Sequence, residues 1–349
     1  MGRASPLSVL FAHLRHSHEE FRNNMPATMK AIQVTAPGKF EIVELPMLEP
    51  ADDEVLIEVK ACATCTNWEL NTWRGRDIFD RPNHPIYPQN PGSPGHEAAG
   101  VVVAIGAKVT DLQLGDHVAV HPSLRGPEND AHATHITRPA AQVAKLDPSL
   151  DLVLCAPLEM AQCAVRSLDM AGDIAGKSVA IVGLGPAGIL HVQVAKARGA
   201  SKVIGLDTIP MRLEATRPFA DEVVDPTDSD ALNRVIAEGC QLGYDCSGHP
   251  VGMRNAMEIA REAFHVFSVP HGSVEWGKRE WLRSMPILPY HWRGDVQVNC
   301  LRRAAAMLAS GELDTRAILT HVLPYTRYDE GMALLENREA IKVAFSGWE

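Results

Sequence analysis

The chain has 349 residues, 46% of them hydrophobic and 22% charged, which is enough for about two domains with a sizeable core. Its formal net charge is −10 and no basic patch interrupts it, so roles that require nucleic acid or an anionic membrane surface lack their electrostatic footprint. No apolar run reaches the ~18–20 residues that cross a bilayer.

Residues 1–28 read as an N-terminal extension, a short helix or partly disordered. Pro6 to Leu14 is only mildly apolar and no A-x-A site follows it. Glu19 and Glu20 argue against a transit peptide. The seven cysteines (62, 65, 155, 163, 240, 246 and 300) are odd in number and scattered, which predicts reduced thiols and a cytoplasmic protein.

The folded pattern opens at Met29. Ala31–Thr35, Pro37-Gly38 and Phe40–Val43 predict a hairpin, and Glu54–Lys60 alternates at period two as a half-buried strand. Gly100–Ile105 and His117–Val120 predict further strands in a β-rich region that ends near residue 150. From about residue 165, strands and helices alternate. Strands are predicted at Val179–Val182, Val203–Leu206, Asp221–Val224, Tyr244–Cys246 and Phe264–Val269. Helices fall between them at Ile189–Arg198, Met211–Thr216, Asp228–Glu238 and Gly252–Arg261. Such alternation predicts an α/β fold with a doubly wound parallel sheet. A helix at Cys300–Ser310, a stretch at Ile318–Leu323 and a strand at Ile341–Phe345 return the chain to the first domain.

Two constellations carry chemistry. The first is Gly183-Leu-Gly185-Pro186-Ala187-Gly188, set between an apolar strand and a helix. Gly183 permits the tight turn, Gly185 lets a pyrophosphate approach the backbone, and Gly188 lets helix and strand pack closely. Asp207 ends the next strand about 20 residues on, where a carboxylate binds the adenosine ribose hydroxyls and repels a 2′-phosphate. This predicts a dinucleotide site that takes NAD, with Arg212 along the adenine. Val269 ends the last strand of the series and His271 follows it, near where a nicotinamide would lie. The second constellation is Cys65, on the turn after the Glu54–Lys60 strand, with His96-Glu97 just before the Gly100–Ile105 strand. Thiolate and imidazole are preferred zinc ligands, and catalytic zinc sites use three protein ligands plus an open position.

Together these stretches resemble the medium-chain dehydrogenase/reductase family, in its zinc-dependent alcohol and polyol dehydrogenase branch. Val59–Cys65, Pro91–Gly106, Leu114–Val120, Gly183–Gly188 and Ala340–Val343 match in order across residues 29–349. The resemblance implies a GroES-like β-barrel catalytic domain (29–160 and 297–349) and a Rossmann NAD-binding domain (161–296), with the active site in the cleft between. It implies that Cys65 and His96 bind one catalytic zinc, that Glu97 is a ligand or near-ligand, and that Lys342 contacts the pyrophosphate. It also implies a homodimer or homotetramer, with the Trp281, His291 and Trp292 region at a subunit interface or packed, or else lining the pocket.

The chain also departs from the family pattern. Met160 and Ala156 stand where relatives carry a third ligand, and a thioether is a poor zinc ligand, so Glu159 or water is expected to complete the site. The lobe of four close cysteines is absent from His121–Ala131, which predicts no structural zinc. Asn67, Trp68 and Leu70 replace the residues of the usual proton path. Asn67 can still hydrogen-bond a substrate oxygen, but Trp68 removes the expected acceptor for His96. Trp73 and Arg74 are weighed as cleft residues or packing. The expected function is hydride transfer between NAD(H) and a secondary alcohol, polyol or ketone, assisted by zinc. The alternatives are a zinc-free quinone or enone reductase of the same fold and a non-catalytic nucleotide-binding protein.

Overall fold

The computed structural model describes residues 26–78, 80–122 and 130–349. The expectations for residues 1–25 and for the 123–129 part of the cysteine-poor segment lie outside these residues.

The first domain follows the predicted order. β1 (Thr28–Ala36) and β2 (Lys39–Pro46) form the antiparallel hairpin, turning at Gly38 with φ 69°. β3 (Glu54–Ala63) leads into α1 (Thr66–Trp73), then β4 (Glu97–Ile105), β5 (His117–Val120), β6 (His135–Pro139) and β7 (Val143–Lys145). β3 runs three residues past the predicted strand and is buried along most of its length rather than half-buried. It pairs with β4 along one edge and with β6 along the other, so neither edge meets solvent. Its side chains enter two cores: Val55, Ile57 and Val59 join one, Ala61 and Ala63 the other.

α2 (Leu152–Cys155) and α3 (Leu158–Asp169) lead into the second domain. There the chain alternates through β8 (Ser178–Val182), α4 (Pro186–Ala197), β9 (Lys202–Leu206), α5 (Pro210–Thr216) and β10 (Glu222–Val224). It continues through α6 (Ser229–Glu238), β11 (Cys240–Asp245), α7 (Pro250–Ile259), β12 (Ala260–Val266), α8 (Lys278–Arg283) and β13 (Ile287–Pro289). The sheet order is β10-β9-β8-β11-β12-β13 with every pairing parallel, and the order reverses at β8. Ligands of open α/β sheets bind beyond the strand C-termini at such a switch point. Separate apolar cores cover the two faces of this sheet.

Three details differ from the sequence reading. α4 begins at Pro186 rather than Ile189, because proline fits the first helical turn, where no N–H is needed. β12 starts at Ala260 and ends at Val266, leaving Val269 beyond the strand. β13 adds a sixth strand; three residues ending in proline are too few to show an alternating pattern.

α9 (Gly294–Ser310) returns the chain to the first domain, where β14 (Leu319–Leu323), α10 (Tyr328–Glu336) and β15 (Lys342–Phe345) complete it. β15 is inserted between β14 and β3, in a sheet of order β14-β15-β3-β4-β5-β7. Leu168 of α3 and Leu301 and Ala304 of α9 share one core. These helices run across residues 160 and 296, so the expected domain limits fall inside helices. Among the described residues no helix is long and apolar enough to cross a membrane.

Candidate active site

The β3–β4 register builds the site. Ala63 stands opposite Glu97, so the residues after β3 lie beside those that start β4. Cys65 caps α1, His96 precedes β4, and Glu97 is the first residue of β4. One ligand atom from each of Cys65, His96 and Glu97 lies within 4.8 Å of the other two. His96 Nδ1 donates to the Pro94 carbonyl oxygen at 2.8 Å, which leaves Nε2 as the ligating nitrogen. Pro94 thereby supplies the acceptor that Trp68 was expected to remove. Trp68 itself lies against the His96 ring, with centroids 5.4 Å apart.

Behind these ligands lies a buried ion pair. Lys342 Nζ is 2.6 Å from both Glu97 oxygens and also donates to the Thr64 carbonyl. Both side chains are fully buried. Lys342 was expected at the pyrophosphate. β15 pairs beside β3 and brings Lys342 under Glu97 instead, so it holds that carboxylate and is closed off from a cofactor. Burial alone opposes the charge on both groups; their mutual attraction keeps the Lys342 ammonium protonated. Glu159, in the first turn of α3, is 5% exposed and accepts from Gln162 Nε2 at 3.0 Å. It lies outside the three-ligand cluster but acts electrostatically on His96 and Glu97. Met160 and Ala156 face apolar cores, so neither position supplies a ligand.

The donor set fits a divalent cation. Burial opposes charging of the His96 ring, yet Cys65, Glu159 and Glu97 draw its pKa well above the ordinary value. A pocket that pulls a proton onto a buried imidazole is short of positive charge.

The nucleotide motif has the geometry its glycines predict. Gly183 has φ 91°, and a Cβ there would meet Ser247 N at 2.6 Å. A Cβ on Gly188 would meet Gly183 O at 1.9 Å, so only glycine lets α4 sit this close to the turn. A Cβ on Gly185 would meet nothing within 4 Å, which leaves open space over the turn. Pro186 and Ala187 start α4, and the Ala187 carbonyl accepts from His191 Nδ1 at 2.7 Å. Asp207 Oδ2 accepts from Leu184 N at 2.7 Å and Oδ1 from Ile209 N at 2.9 Å, tying the strand end to the turn. Arg212 lies 3.5 Å from Asp207. Val269 approaches Gly248, and His271 N donates to Gly248 O at 2.8 Å.

A cleft of about 590 Å³ opens between the segment after α1 and the segment after β12. Its walls include Asn71, Arg76, Asp77, Arg81, His84 and His271. Asn71 Nδ2 donates to Asn67 Oδ1 at 2.8 Å, so Asn67 offers its amide hydrogens rather than its oxygen. Trp73 is packed against Tyr328 and Arg74 pairs with Glu336, so neither lines the cleft. Leu70 is core. Trp292 is 48% exposed with its ring 5.7 Å from His121; the Trp281 side chain is outside those described. The sequence reading missed Tyr290, whose hydroxyl accepts from Gln297 Nε2 at 2.8 Å in a buried cluster with Cys163 and Glu159. No local pattern marks that tyrosine; only the return of α9 onto α3 brings it there.

Two family models match the chain: the alcohol dehydrogenase GroES-like domain over residues 51–146 and the zinc-binding dehydrogenase domain over residues 186–282. L-threonine 3-dehydrogenase of Bacillus licheniformis is 29% identical, over 91% of this chain and 99% of its own. D-arabinitol dehydrogenase 1 of Uromyces fabae is 26% identical, over 92% and 97%. A Sinorhizobium meliloti 1021 protein solved bound to NADP shares the fold with a TM-score of 0.78 at 23% identity, covering 92% of this chain and 100% of that one. The chain belongs to the medium-chain dehydrogenase/reductase family, in its zinc-dependent alcohol and polyol dehydrogenase branch, and is an oxidoreductase that works with a nicotinamide cofactor.

Proposed function

We propose that the chain transfers hydride between NAD(H) and a secondary alcohol or polyol, or its ketone, at one zinc ion held by Cys65 and His96. Glu97 would serve as a third ligand or stand behind the metal, and Glu159 adds negative charge from α3. The observation that carries this reading is the Cys65–His96–Glu97 cluster, with ligand atoms within 4.8 Å of one another. When bound, zinc polarises the substrate oxygen and the nicotinamide exchanges hydride with the adjoining carbon. The chain's own residues do the rest. The Pro94 carbonyl fixes the His96 tautomer, Lys342 holds Glu97, and the Asn67 amide orients a substrate oxygen. No serine or threonine hydroxyl stands at Asn67 to relay a proton, so Glu159 or solvent takes the substrate proton.

The Asp207 carboxylate supports NAD over NADP, because it repels a 2′-phosphate and Arg212 is already paired to it. The open sheet edge at β13, with Ile287 exposed, supports a homodimer or homotetramer. The seven free cysteines support a reducing compartment, the cytoplasm.

Elemental analysis and two variants test the proposal. The wild type is expected to carry one zinc per chain, and Cys65→Ser and His96→Ala to bind NADH, retain no zinc and turn over no alcohol. Full turnover by either variant after metal stripping removes zinc from the reaction. Two zinc ions per chain overturn the argument from the missing cysteine lobe.

A further inference from the structure

The segments that carry Cys65 and His96 are joined a second time, on the side away from the proposed metal. Glu69 sits one turn along α1, and its N–H donates to the Cys65 carbonyl at 2.9 Å. Its Oε1 lies 2.7 Å from His132 Nε2, and both side chains are fully buried. His132 belongs to the segment that runs against the loop before His96. Its own N–H donates to Gly92 O at 3.1 Å, and the neighbouring Ala131 N–H donates to Gly95 O at 2.6 Å. A Cβ on Gly95 would meet His132 Cγ at 2.6 Å, so the imidazole lies directly against the backbone that leads into His96. The ring is boxed by Tyr325, Tyr328 and Phe345, each edge-on at 5.3–5.8 Å.

This arrangement is costly. Among the described residues neither Glu69 Oε2 nor His132 Nδ1 has a hydrogen-bond partner. A half-satisfied polar pair inside an aromatic box is poor stabilisation, and apolar residues of similar volume often serve the fold as well. What apolar residues do not supply is a fixed length. The path from Cys65 through α1, Glu69 and His132 to Gly95 ends one bond before His96. Metal–ligand distances hold to within about 0.2 Å. We propose that Glu69 and His132 form a clamp that sets the spacing of Cys65 and His96, which makes them positioning residues for the metal site.

The proposal rests on the zinc reading above, and the test separates the two. Glu69→Gln keeps an acceptor oxygen at the same reach, Glu69→Asp shortens the arm by one methylene, and Glu69→Leu/His132→Phe replaces the pair by apolar groups. Zinc affinity is read by chelator competition and ligand geometry by the thiolate charge-transfer band of the cobalt(II)-substituted protein. Glu69→Gln is expected to keep wild-type affinity. The double variant is expected to bind zinc roughly 10- to 100-fold more weakly, the usual cost of losing an outer-shell partner. Its unfolding midpoint and NADH affinity are expected to stay unchanged. Glu69→Asp falls between, and serves if the double variant does not fold. Wild-type zinc affinity and an unshifted cobalt band in the double variant, or in Glu69→Asp where that stands in for it, overturn the clamp. A wild type that takes up no zinc overturns the zinc reading instead. The clamp is then judged on metal-free protein by hydrogen exchange at the Ala131 and His132 amides: faster exchange in the variants sustains it, and unchanged exchange overturns it.

Discussion

Adding one methyl group to the glycine turn separates the fold from the cofactor. At Gly188 the new Cβ falls 1.9 Å from Gly183 O and 2.9 Å from Gly183 C. Both are backbone atoms of the same tight turn, so nothing swings aside and α4 must move off β8. Overpacking of that kind costs about 1–3 kcal/mol or more. At Gly185 the same methyl meets nothing within 4 Å, and the backbone there, φ −67° and ψ −173°, is open to any residue. Gly185 is the N-cap of α4, where alanine is worse than glycine by about 1 kcal/mol or less. Gly185→Ala is therefore expected to unfold in urea near the wild-type midpoint, and Gly188→Ala clearly below it. The order reverses for ligand. The empty space over Gly185 is where the pyrophosphate would pass, and a methyl there costs about 1–3 kcal/mol of binding, a roughly 5- to 150-fold rise in Kd for NADH. Fluorescence titration of NADH beside urea unfolding decides the matter. A stable Gly185→Ala that binds NADH as tightly as the wild type means that no phosphate crosses this turn. A Gly185→Ala less stable than Gly188→Ala means that the packing argument is wrong.

Lys342→Met strands a buried carboxylate at Glu97 and is expected to cost about 3–5 kcal/mol in urea unfolding; Glu97→Leu in the same chain is expected to restore most of it. Burial lowers the pKa of His265 from 6.5 to about 4, so the unfolded chain takes up this proton first as the pH falls. That contribution to stability is complete above pH 6.5 and disappears between pH 6.5 and 4, about 2 kcal/mol of it by pH 5. His265→Phe keeps the stack on Tyr244 and removes the proton, so the difference in unfolding free energy between wild type and variant should change by this amount from pH 7 to pH 5; a flat difference contradicts it. Asp207→Asn keeps an acceptor for Leu184 N but loses the charge, and is expected to shift the KM ratio of NADP to NAD toward NADP; an unchanged ratio removes Asp207 from cofactor choice.

The parts of the fold that the sequence announces are those whose cause is local. The Gly183–Gly188 spacing, the apolar strand before it and Asp207 after it each fix their own conformation, and the structure keeps all three in place. The hairpin at Gly38 is legible for the same reason. Failures begin where a neighbour far along the chain decides. β3 alternates like a half-buried strand, yet β4 on one edge and β6 and β15 on the other enclose it. β13 has too few residues to announce itself and exists because β12 offers an unpaired edge.

The site divides along the same line. Cys65, His96 and Glu97 are readable because two short motifs carry them, and the Ala63↔Glu97 register needs only adjacent strands. Lys342 carried a motif match too, but its role depends on which strand β15 joins. Beside β3 it meets Glu97, 245 residues away in sequence, and the cofactor role is lost to the ion pair. Trp68 shows the converse. Reading a missing acid as a missing acceptor for His96 assumes that the acceptor must be a side chain at that position. The structure supplies the Pro94 carbonyl two residues before the ligand, a group present in every sequence and therefore visible in none. A changed residue in a metal-site motif thus weakens the site only after the backbone has been searched for the bond it removed. Here that search leaves the His96 ring oriented by Pro94 and its other nitrogen beside Cys65.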